Sequence, residues 1–69
     1  MPDKTYAVTE LVGTSDESVG NAIRTAIATA HGTLRNLDWF EVVGIRGAIE
    51  DGKVAEFQVN LKVGFRYEK

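Results

Sequence analysis

Two runs of sheet-forming residues, Trp39-Phe40-Glu41-Val42-Val43-Gly44-Ile45-Arg46-Gly47-Ala48-Ile49-Glu50 and Lys53-Val54-Ala55-Glu56-Phe57-Gln58-Val59-Asn60-Leu61-Lys62-Val63-Gly64-Phe65-Arg66-Tyr67-Glu68, meet at Asp51-Gly52. An Asp-Gly pair between two such runs predicts a β-hairpin, because a type I′ turn needs positive φ at both central positions. The second run alternates cleanly. Ala55, Phe57, Val59, Leu61, Val63, Phe65 and Tyr67 fall on one face, and Glu56, Gln58, Asn60, Lys62, Gly64 and Arg66 on the other, so the first set offers a helix its seat.

That helix comes earlier in the chain. Val19, Ile23, Ala26, Ile27, Ala30 and Leu34 recur at three- and four-residue spacing and predict one apolar stripe on a helix from about Ser15 to about Arg35. Thr14 with Glu17 matches a capping box, and Asp16 and Glu17 suit the positive end of the helix dipole. Before it, Lys4 to Val12 is sheet-tolerant (Thr5, Tyr6, Val8, Thr9, Val12), with Gly13 ending the run. The order is β-α-β-β. The fold class is α+β, a three-stranded antiparallel sheet packed on one helix, as a single domain over residues 1–69.

Such a domain has a thin core. Several helix residues are small (Gly20, Ala22, Ala26, Ala28, Ala30, Gly32), and 69 residues bury little area against the chain entropy they lose. Disulfides and a metal are the usual remedies, but the chain has no cysteine and one histidine, His31. Oligomerisation remains, and a homo-oligomer is expected. With a net charge of −2 and its Lys and Arg residues scattered, nucleic acid is not an expected partner. No apolar run is long enough to cross a bilayer, and none follows Met1-Pro2-Asp3-Lys4 as a leader would require, so a membrane is not an expected partner and a cytoplasmic location is expected.

Counting back from a two-residue turn, in which Glu50 pairs with Lys53, gives Ile45 with Gln58, Val43 with Asn60, Glu41 with Lys62 and Trp39 with Gly64, and these four pairs lie on the face away from the helix. A bulge at Gly44 or Gly47 would shift this register. An open face bearing Trp39, Val43 and Ile45 is a contact surface, and Gly64 leaves room for the indole or for something lying on it. The lone tryptophan therefore packs in a core, anchors a subunit contact or stacks on a planar ligand. Catalytic chemistry has no support. Ser15, Asp16 and Glu17 are explained by capping, His31 has no partner ligand, and no nucleophile and base pair is visible, so neither an enzyme nor a metal site is expected.

Leu11-Val12-Gly13-Thr14-Ser15, Thr33-Leu34-Arg35-Asn36-Leu37-Asp38-Trp39-Phe40-Glu41-Val42, Ile45-Arg46-Gly47, Phe57-Gln58-Val59 and Leu61-Lys62-Val63-Gly64-Phe65-Arg66 resemble the dodecins, in the same order and over nearly the whole chain. The resemblance implies a βαββ protomer in a hollow homododecamer that stores, buffers and photoprotects flavin (riboflavin, FMN or FAD), the flavins stacked in pairs between symmetry-related tryptophans. It assigns the stacking to Trp39, the polar edge of the ring to Gln58 and the neighbourhood of the flavin side chain to Arg46. Coenzyme A at subunit junctions is a further ligand that the resemblance raises. The alternative is a structural shell without flavin, or one that holds another ligand such as coenzyme A. Glu56, where many resembling sequences carry an uncharged residue or histidine, predicts weaker binding of phosphate-bearing flavins than of riboflavin.

Overall fold

A computed structural model of the chain describes residues 3–67. Four elements follow one another: β1 (Tyr6–Ser15), α1 (Val19–His31), β2 (Leu37–Glu50) and β3 (Lys53–Arg66). They form one antiparallel sheet in the order β1-β3-β2 with the helix on one face, the architecture read from the sequence. Glu68, the predicted end of the last strand, lies outside the described residues, as do Met1, Pro2 and Lys69.

β3 is the central strand because its alternation serves both neighbours at once. Val59, Leu61 and Val63 are fully buried under the helix, where they meet Ala22 and Ala26. β1 pairs with β3 without interruption from Tyr6 opposite Arg66 to Ser15 opposite Phe57. Gly13 therefore lies inside β1 and does not end it. A Cβ there would stand 2.1 Å from the Ala22 carbonyl oxygen and 2.8 Å from the Ala26 Cβ, so glycine is what lets the helix backbone rest directly on the strand.

The longer β1 displaces the helix start. Thr14 and Ser15 are strand residues opposite Gln58 and Phe57, and the N-cap is Ser18, whose hydroxyl accepts from the Asn21 amide at 2.9 Å. The predicted Thr14–Glu17 box is thus replaced by a cap four residues later. Ser15 supports that turn from below, its Oγ accepting from the Glu17 amide at 2.9 Å and from Asn21 Nδ2 at 3.0 Å. The helix also closes before the predicted Arg35. Gly32 caps it, its amide donating to the Thr29 carbonyl, and the amides of Thr33 and Leu34 both donate to the Ala30 carbonyl.

The hairpin turn is as predicted, with φ of 53° at Asp51 and 75° at Gly52. The register beyond it carries bulges. Ala55 is unopposed on β3, between the pairs Ile49 with Val54 and Ala48 with Glu56, and Val43 is unopposed on β2, between Val42 with Leu61 and Gly44 with Asn60. The two offsets cancel, so Glu41 meets Lys62 and Trp39 meets Gly64 as counted from the turn. Between them the counted pairs are off by one. Gln58 faces Arg46, not Ile45, and Asn60 faces Gly44, not Val43. Ile45 consequently shares the helix-side face with Val59, and the open face does not hold it.

The helix covers β1 and β3 and leaves β2 bare on the same side, where Phe40 is 50% exposed and Ile45 58%. The described residues have a radius of gyration of 14.3 Å, against about 11 Å for a compact domain of this length. The long hairpin, reaching past its own helix, accounts for the excess.

Candidate functional site

The open sheet face is lined by the residues that alternate away from the helix: Tyr6, Val8 and Val12 from β1, Gln58, Lys62 and Gly64 from β3, Trp39 and Arg46 from β2. Its apolar part differs from the sequence expectation. Trp39 belongs to it, but its companions are Tyr6 and Val8 on the far strand in place of Ile45. Counting in twos from Tyr6 contains this signal once β1 is known to pair with β3.

Trp39 lies across Gly64. A Cβ at Gly64 would stand 2.1 Å from indole Cε2 and 2.2 Å from Cζ2, so the inner face of the ring is seated on glycine backbone and its outer face points away from the sheet. Gly64 has no positive φ among the described residues; space for the indole, and not backbone freedom, is what glycine provides there. The Tyr6 ring stands beside Trp39, with centroids 6.0 Å apart and planes tilted by 58°, a favourable tilted aromatic pair. Asp38 is the unopposed residue of a third irregularity, between Leu37 opposite Phe65 and Trp39 opposite Gly64. Its Oδ2 accepts from the Tyr6 hydroxyl at 2.9 Å. That hydrogen bond, with desolvation and the Asp38 charge behind it, raises the Tyr6 phenol above its ordinary value of 10.0, against a smaller opposing effect of Arg66. The result is an indole held at a set tilt, with 41% of its surface open.

The second cluster sits further along β3. Gln58 Nε2 donates to Glu56 Oε1 at 3.0 Å, and Arg46 Nη1 donates to Gln58 Oε1 at 3.4 Å. The bulge at Ala55 produces this arrangement, since it is what sets Arg46 opposite Gln58. Of the three candidate residues, Arg46 and Gln58 are brought together and Trp39 is not. From Gln58 to Gly64 is six residues of strand, roughly 20 Å at 3.3 Å per residue. No single planar ring within one protomer touches both.

In one protomer Trp39 and Arg46 stand exposed on the open sheet face. A groove of about 680 Å³ lies elsewhere, on the helix side, lined by Ile23, Ile27, His31, Leu37 and Phe40 among others. A small-molecule site normally encloses most of its ligand, so a pocket at Trp39 or at Gln58 needs a second surface laid over the open face. Among the described residues no group of three or more metal-ligating side chains is close enough to hold an ion, and no helix is long and apolar enough to cross a membrane.

The dodecin family model matches residues 5–68. The dodecin of Thermus thermophilus is 56% identical over 66 residues, covering 96% of each chain. The structure of dodecin from Streptomyces coelicolor superposes with a TM-score of 0.95 at 58% identity, covering 100% of this chain and 99% of that one. That of Streptomyces davaonensis gives 0.92 at 55% identity, covering 97% and 98%. With the family model spanning almost the entire chain and the backbone following those structures from β1 through the bulged hairpin, the protein belongs to the dodecin family.

Proposed function

We propose that the protein stores and shields flavin in the cytoplasm, as a homododecamer in which flavins stack in pairs between Trp39 residues of neighbouring subunits. The observation that carries this reading is the Trp39 indole laid over Gly64 on an open sheet face, with its outer surface exposed. An isoalloxazine ring is planar and apolar on its faces, and an aromatic contact contributes about 0.5–1.5 kcal/mol beyond area burial. Its polar edge needs a donor and an acceptor side by side, which the Gln58 amide supplies. Because Trp39 and Gln58 stand too far apart in one chain, the two come from different protomers, and the site exists only in the assembly. Arg46, beside Gln58, is placed to meet the ribityl chain or its phosphate.

Two further observations support assembly. The helix-side groove and the bare β2 face expose Phe40, Val42 and Ile45, apolar area that a second copy would cover. The small core also leaves folding dependent on such contacts. The reading is binding without turnover: a flavin stacked against an indole and a second flavin has both ring faces covered, leaving none for a substrate.

Native mass spectrometry of the protein mixed with riboflavin tests this directly. The expected spectrum is that of a twelve-chain assembly carrying whole flavins. A twelve-chain assembly whose mass does not change with riboflavin would instead support a shell without flavin, and the same experiment repeated with coenzyme A would then identify or exclude that ligand.

A further inference from the structure

We propose that Glu56 is a positioning residue that fixes the orientation of the Gln58 amide and thereby gives the site its selectivity for a cyclic imide edge; the proposal rests on the flavin reading above. Glu56 and Gln58 project from the same face of β3, two residues apart, and both are half-buried. On one side of the Gln58 amide stands a carboxylate, which only accepts hydrogen bonds. On the other stands a guanidinium, which only donates. The amide therefore has one orientation that satisfies both neighbours, with Nε2 toward Glu56 at 3.0 Å and Oε1 toward Arg46 at 3.4 Å. The flipped amide would set its NH2 against the guanidinium and its carbonyl against the carboxylate.

Locked in this way, Gln58 keeps one N–H and one carbonyl lone pair uncommitted, side by side. They complement a ligand edge that alternates carbonyl oxygen and N–H, as the imide edge of a flavin does. Ligands with the opposite polarity would find the donor and acceptor reversed, and the amide could not turn without giving up both of its own hydrogen bonds. A site that holds its polar groups in fixed positions rejects a mismatched partner far more strongly than an adaptable one does. The shorter, part-buried bond to the Glu56 carboxylate is the stronger half of the lock, and its charge makes it stronger than a neutral neighbour would.

This role differs from simple repulsion of a flavin phosphate by the Glu56 charge, and a double-mutant cycle separates the two. Riboflavin and FMN would be titrated against the assembled wild-type protein and the Glu56→Ala, Glu56→Gln, Gln58→Ala and Glu56→Ala/Gln58→Ala variants, with oligomeric mass checked for each. The expected result is about tenfold weaker riboflavin binding in Glu56→Ala, the loss of one hydrogen bond to a charged group. Glu56→Gln, which keeps an acceptor, should recover part of that loss. In the Gln58→Ala background Glu56→Ala should change nothing, and 3-methylriboflavin, which lacks the N–H, should be blind to Glu56→Ala in the otherwise wild-type protein. A Glu56→Ala effect that persists without Gln58, or that makes FMN bind more tightly and leaves riboflavin alone, would overturn the proposal in favour of phosphate repulsion. Absence of flavin binding by the wild-type protein would overturn it together with the flavin reading, so the two failures are told apart by the first titration.

Discussion

Gly64→Ala is the substitution whose effect follows most directly from the geometry. The added Cβ would lie 2.1 Å from indole Cε2, 2.2 Å from Cζ2 and 2.6 Å from Cδ2 of Trp39. Ordinary carbon contacts begin near 3.5 Å, so the ring must lift or tilt by more than about 1 Å. Its outer face then no longer lies where a stacked ring needs it. Loss of a well-seated aromatic contact with its share of buried area is worth about 1–2 kcal/mol, or about five- to thirtyfold in affinity. The backbone has no objection to alanine, because Gly64 lacks positive φ, and glycine-to-alanine changes at such positions reduce unfolded-chain entropy. Folding should survive while binding falls. The assay is riboflavin affinity by fluorescence quenching, with near-ultraviolet circular dichroism reporting the indole and size-exclusion chromatography the assembly. Wild-type affinity with an unchanged indole spectrum would refute the view that Gly64 is the seat of Trp39.

Three further substitutions probe other parts of the account. Gly13→Ala drives a Cβ into the Ala22 carbonyl oxygen, a backbone atom that cannot step aside; about 2–3 kcal/mol of stability should be lost, read by urea denaturation at fixed protein concentration. Asp38→Ala removes both the hydrogen-bond acceptor and the charge that raise the Tyr6 phenol. Because that pKa is raised in the folded state, its contribution to stability is present below the ordinary value of 10.0 and is lost as pH climbs through the folded value. Spectroscopic titration of the phenol should accordingly shift toward lower pH in the variant, and its loss of stability above pH 10 should be shallower. Phe40→Lys places a charge on the bare helix-side face of β2 and should yield smaller species on size-exclusion chromatography; an unchanged elution volume would show that this face stays in solvent.

How much of this was legible in the sequence depended on whether a signal was local. The Asp51-Gly52 turn, the alternation from Phe57 to Phe65 and the small-residue helix each follow from neighbouring residues, and they were enough for the fold. The pairs Trp39 with Gly64 and Glu41 with Lys62 also follow from counting, but only because the extra residue at Ala55 is cancelled by the one at Val43. Nothing local marks either bulge, since Val43 and Ala55 look like ordinary strand residues. The Arg46–Gln58 contact was therefore out of reach of counting, although both residues were singled out by resemblance. The helix start was misplaced because Thr14-Ser15-Asp16-Glu17 and Ser18-Val19-Gly20-Asn21 are both credible capping sequences, and the decision between them lies in how far β1 pairs with β3, a long-range contact. Tyr6 as a neighbour of Trp39 is long-range for the same reason: the residues belong to opposite edges of the sheet.

The claim on which the rest depends is that Trp39 stacks on flavin, and the most direct measurement is titration of riboflavin fluorescence with the ligand-free assembly and with its Trp39→Ala variant. Stacking on indole should extinguish the emission at stoichiometric protein, and the variant should leave it bright. Emission that stays bright with correctly assembled wild-type protein, or that is quenched equally by Trp39→Ala, would contradict the account.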